Sequence, residues 1–85
     1  MSRIVDTQRL ALWGAVYRVE LAKSVEKYPE DYRWPVSDVP SVAAKMQMAF
    51  ERGSYNHDGK AIKATCRALG LKHTRKAIEG FITGG

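Results

Sequence analysis

Cysteine is almost absent from these 85 residues. The one thiol, Cys66, has no partner for an internal disulfide, and with only His57 and His73 beside it a metal site would need carboxylates from elsewhere in the chain. No metal and no cofactor is expected. Long apolar runs are also missing. Nothing approaches the ~18 residues of a membrane span, and Arg9 and Arg18 interrupt the first hydrophobic stretch where a secretory leader needs an unbroken apolar core. The chain reads as a cytoplasmic protein with no membrane partner. There is no phosphate-cradling glycine loop, paired-carboxylate motif, internal repeat or low-complexity segment, and His57 next to Asp58 in a turn suits capping better than general-base chemistry. No enzyme is expected. Acidic residues are scarce in one region only: residues 1–54 carry eight Lys or Arg against seven Asp or Glu, whereas residues 55–85 carry six against two. The net charge of +5 is therefore concentrated in the last third, an asymmetry that points to an anionic partner such as nucleic acid.

What is present is helical periodicity. The spacing predicts a single all-α domain over residues 1–85, a bundle of about four helices, with no sustained period-two alternation to suggest strands. The first helix spans 6–28, capped by Asp6, with Leu10, Trp13, Val16, Tyr17, Leu21 and Val25 on its apolar stripe. Leu12 and Val19 lie off that stripe, so the apolar surface is wide, and a homodimer through this helix would cover them. A connector at 29–37 follows, in a segment whose prolines Pro29, Pro35 and Pro40 each disfavour helix in the preceding residue. Its neighbouring aromatics Tyr28, Tyr32 and Trp34 are read as a lid on the core; the alternative is an exposed aromatic patch for a partner. The second helix, 39–52, has Asp38 as its cap, Pro40 in its first turn, an apolar stripe through Val39, Val42, Ala43, Met46, Ala49 and Phe50, and Gly53 as its stop.

The third helix is expected at 59–69, capped by Asp58, with Ile62, Thr65, Cys66 and Leu69 inward and Lys60, Lys63 and Arg67 on one outward row. Cys66, between Ile62 and Leu69, is expected to be a small core residue rather than a nucleophile. Gly70 ends the helix, Leu71 fills the corner, and Thr74 caps a fourth helix at 74–83 whose apolar face is Ala77, Ile78, Phe81 and Ile82. That fourth helix is charged against its own dipole. Lys72, His73, Arg75 and Lys76 crowd an N-terminus that favours acids, at a cost of ~0.3–1 kcal/mol for a misplaced cation. Glu79, one turn on from Arg75, is positioned to pair with it.

Residues 60–83 resemble the helix-turn-helix of DNA-binding domains. The likeness rests on Cys66 as the small residue four before the turn glycine, on Gly70 itself and on apolar Leu71 after it. Lys76 stands where that family has an apolar residue; the apolar pair falls at Ala77 and Ile78 instead, which implies a turn one or two residues longer. The small basic chain also resembles proteins encoded by bacteriophages and other mobile elements. The resemblance implies a binding protein for double-stranded DNA, as in a transcriptional regulator, contacting phosphates and base edges through Lys60, Lys63, Arg67, Lys72, His73, Thr74, Arg75 and Lys76, with Arg75 able to pair with guanine. The competing expectation is a non-enzymatic, phage-type interaction module or inhibitor that covers an acidic surface of a host protein. Single-stranded RNA is disfavoured, because its readers stack bases on exposed aromatics and those lie here in the connector, away from the last third.

Overall fold

The computed structural model describes residues 4–84. Four α-helices follow in order: α1 (Thr7–Lys27), α2 (Val39–Arg52), α3 (Lys60–Ala68) and α4 (Arg75–Ile82), with no strand among the described residues. Short 3-10 turns at Pro29–Asp31 and Val36–Asp38 shape the connector between α1 and α2. The predicted all-α bundle is the observed architecture, and the helices fall within a residue of their expected limits at each end.

Helix α1 is the axis. Its 21 residues amount to roughly 31 Å at 1.5 Å per residue, which accounts for most of the 38 Å long dimension of the molecule. Leu10, Trp13, Tyr17, Leu21 and Val25, recurring every three or four positions, are buried, and α2, α3 and α4 each pack against α1 rather than against one another. Phe50 of α2 sits at the centre of the core with its ring 4.9 Å from Trp13, 5.9 Å from Tyr17 and 4.4 Å from Tyr55. Such offset and edge-on aromatic pairs contribute about 0.5–1.5 kcal/mol each beyond the area they bury. Trp13 Nε1 is buried with no acceptor among the described residues, a polar cost that this packing has to offset.

Local chemistry sets the ends of the helices. Asp6 Oδ1 accepts from the amides of Gln8 (3.0 Å) and Arg9 (3.2 Å), while the Asp6 amide donates to the Ile82 carbonyl (2.8 Å), tying the start of α1 to the end of α4. Gly53 (φ 76°) and Gly70 (φ 70°) take the left-handed conformation that only glycine adopts without strain. At each the chain closes the same motif: Ser54 N bonds to Ala49 O and Gly53 N to Phe50 O, then Leu71 N to Cys66 O and Gly70 N to Arg67 O. Thr74 Oγ1 accepts from Ala77 N (3.1 Å), capping α4 as expected.

Two expected caps differ. Asp58 does not cap α3: Gly59 occupies that position, and the Asp58 amide donates to Asn56 Oδ1 (3.0 Å), because an asparagine-centred turn takes up the backbone one residue too early for Asp58 to reach the helix. Asp38 does stand at the head of α2, but the preceding 3-10 turn leaves it in a helical conformation with no side-chain bond to the backbone. Leu69 and Leu71 are half-buried against the core rather than enclosed.

Candidate functional site

The cations of α3 converge with cations of α1. Lys60, Lys63 and Arg67, spaced three and four residues apart on the outer face of α3, line one side of a groove of about 460 Å³; Glu20, Lys23, Ser24, Lys27 and Tyr28 from the last turns of α1 line the other. Five cations thus face one carboxylate across a single cleft. Glu20 is engaged with Lys23 at 3.6 Å. Lys60 is engaged as well: its ammonium bonds to Asp31 Oδ2 at 2.5 Å and lies 3.9 Å from the centre of the Tyr28 ring. The Asp31 hydrogen bond is the main reason its pKa lies above the ordinary lysine value. Lys27 also approaches the Tyr28 ring, at 5.5 Å. Lys27, Lys63 and Arg67 have no carboxylate partner among the described residues, which leaves them the free charges of the groove.

The sequence identified one wall of this cleft and missed the other. Lys23 and Lys27 belong to the half of the chain with nearly balanced charge, and only the packing of α1 on α3 brings them beside Lys60, Lys63 and Arg67. Helical spacing gave a usable signal, since Lys23, Lys27 and Glu20 share the side of α1 that carries Ser24. Tyr28, grouped with the lid aromatics, lines the groove between two ammonium groups instead. Tyr32 and Trp34 are half-buried against the core, ring centres 5.3 Å apart.

The residues around the corner and the start of α4 take other positions. Arg75 turns back onto the α2–α3 turn, where Nη2 donates to Tyr55 O (2.6 Å), Nη1 donates to Gly53 O (3.3 Å), and the guanidinium stacks 4.5 Å from the Tyr55 ring. Gly53 is the C-terminal cap of α2, so the cation that is misplaced on the α4 dipole sits at the negative end of the α2 dipole. That placement, with Glu79 Oε1 at 3.6 Å, gives Arg75 a structural role at the start of α4. His73 Nε2 bonds to the His57 carbonyl oxygen, and the two imidazoles lie edge to face at 6.1 Å. His57 also approaches Asp58 at 3.4 Å. Thr74 is occupied as the cap. Lys72 and Lys76 are exposed and outside the groove.

Cys66 is buried, and burial pushes its thiol pKa up, the opposite of what a nucleophilic thiolate needs. No group of three or more His, Cys, Asp or Glu among the described residues could hold a metal ion. No helix among them is long and apolar enough to cross a membrane. Comparisons with protein-family models, with curated proteins and with solved structures give no match to this chain.

Proposed function

We propose that this protein is a non-enzymatic module that binds nucleic acid, double-stranded DNA foremost, through the face formed by α3 and the end of α1. The observation that supports it is the cleft lined by Lys23, Lys27, Lys60, Lys63 and Arg67, of which Lys27, Lys63 and Arg67 have no carboxylate partner among the described residues, a concentration of charge that favours a polyanion. Lys27, Lys63 and Arg67 contact phosphate oxygens, and binding releases the counterions condensed on them. α3 and the end of α1 are then the elements laid against the backbone. Arg75, His73 and Thr74 hold the corner together, leaving Lys72 and Lys76 as the outlying cations. Self-association belongs to the same reading. Leu12 (49% exposed) and Val19 (53%) lie two turns apart on one side of α1, and a two-fold pairing there would present two such faces to one duplex. A monomeric mass at micromolar concentration refutes that part.

Amide chemical-shift mapping with a mixed-sequence duplex tests the surface. The largest changes are expected at residues 20–28 and 60–67. Changes confined to 72–76 would move the interface to α4, and no changes at low salt would favour an acidic protein surface as the partner.

A further inference from the structure

Ser24, on the α1 side of the groove, is 7% exposed, and its hydroxyl makes no hydrogen bond among the described residues. A serine inside a helix ordinarily donates to the carbonyl four residues back. Thr65 does so here to Ala61 (2.7 Å) and Thr83 to Glu79 (2.6 Å), but Ser24 does not. The hydroxyl still reaches solvent through the groove, in a wall that Lys23 and Lys27 line from α1 and Lys63 and Arg67 from α3, so it is free to donate to a ligand that enters.

We infer that the groove holds a site for a terminal phosphate, a phosphomonoester whose oxygens accept a hydrogen bond from Ser24 and are neutralised by Lys27, Lys63 and Arg67, an inference that rests on the nucleic-acid reading above. Charge selects the monoester. At pH 7 it carries about −1.5 to −2, against −1 for the diester of a continuous strand, and it meets three cations that have no carboxylate partner. Shape selects it too. A recess of about 460 Å³ is of the size that takes one small ligand, and a serine only 7% exposed on its wall is reached by a strand end or a nucleotide more readily than by phosphates along the outside of a duplex. Tyr28 and Ala64 supply apolar wall for the attached nucleoside. Glu20 is the opposing carboxylate, and its pairing with Lys23 reduces its repulsion of the ligand.

Fluorescence anisotropy with one oligonucleotide duplex, prepared with 5′-phosphate and with 5′-hydroxyl ends, tests the site. The phosphorylated duplex is expected to bind the parent protein about tenfold or more tightly, and that ratio is expected to fall to about one in Ser24→Ala, as loss of a charge-assisted hydrogen bond predicts. Competition with a nucleoside monophosphate separates the sources. Displacement of the phosphorylated duplex down to the 5′-hydroxyl level supports the site as one that also takes the free nucleotide, whereas persistence of the ratio without displacement supports it as a site for strand ends. Equal affinity for the two ends in the parent, or a ratio that survives Ser24→Ala, overturns the inference while leaving general duplex binding intact. If neither duplex binds, the nucleic-acid reading fails separately and calorimetric titration of the nucleoside monophosphate decides: binding lost in Ser24→Ala supports the phosphate site, and no binding overturns it.

Discussion

Replacing Arg75 with alanine should destabilise the protein, although it removes a cation from the unfavourable end of a helix dipole. On α4 alone the substitution would gain about 0.3–1 kcal/mol. Against that stand the bonds from the guanidinium to Tyr55 O (2.6 Å) and Gly53 O (3.3 Å) and its stack on the Tyr55 ring at 4.5 Å. Hydrogen bonds to a charged group contribute about 1.5–3 kcal/mol each when well formed, and a cation over an aromatic face about 0.5–1 kcal/mol. The second bond is long and the side chain is 43% exposed, so solvent takes back a large share of both. The net expectation is a loss of about 2 kcal/mol, or a Tm lower by roughly 8–16 °C for a domain of this size. Thermal unfolding followed by circular dichroism reads it directly. Arg75→Lys keeps the charge and loses the fork that reaches two carbonyls, so it should recover less than half of the loss. Lys76→Ala, next along the helix and exposed, should change stability by less than about 0.5 kcal/mol. An Arg75→Ala protein as stable as the parent would refute the clasp and return Arg75 to the set of free cations available to a ligand.

Two glycines give different expectations. Gly70, at φ 70° with open space around it, pays only the backbone cost of a side chain, so Gly70→Ala should lose about 1–2 kcal/mol by urea unfolding. Gly59, at φ −69° with nothing within 4 Å, has no such cost, but it stands at the N-cap of α3, where alanine is the poorer residue, so the two effects offset and Gly59→Ala should change stability by less than about 0.5 kcal/mol in the same assay. Tyr17 predicts alkaline sensitivity. Burial first and the nearby Tyr32 second raise its pKa from 10 to about 12. The folded state holds that proton longer than the unfolded state, so its stabilising contribution is complete below pH 10 and is lost between pH 10 and 12 at about 1.4 kcal/mol per pH unit. Urea midpoints at pH 9 and 11 should diverge in the parent and diverge less in Tyr17→Phe.

The bundle was legible because its signals are local. Asp6, Thr74, Gly53 and Gly70 each act within about a turn of their own position, and the stripes of α1 and α2 repeat within a few residues. Where two local signals competed, the reading slipped: Asn56 organised the turn that Asp58 was expected to open into a helix. The site was half legible for a different reason. The row Lys60, Lys63, Arg67 is a helical spacing, but Lys23, Ser24 and Lys27 join it only through the packing of α1 on α3, and no local pattern encodes which helices will touch. The bonds of Arg75 were not legible for the same cause, since its acceptors are backbone carbonyls 20 and 22 residues away that carry no sequence signature. Of the cations that reverse the charge of α4, Arg75 is an intramolecular anchor, while Lys72 and Lys76 stay exposed.

The salt dependence of duplex binding tests the central claim most directly. Log Kobs against log salt should be linear for the parent, and the double variant Lys63→Ala/Arg67→Ala should flatten the slope by about 0.9 for each phosphate contact it removes, close to 1.8 in all, and weaken binding at every salt concentration. Lys45→Ala/Arg52→Ala on α2, which lies outside the groove, should leave the slope as it is. No binding by the parent at low salt, or equal slopes for the parent and the Lys63→Ala/Arg67→Ala variant, would contradict the assignment of the α1–α3 groove as a nucleic-acid interface.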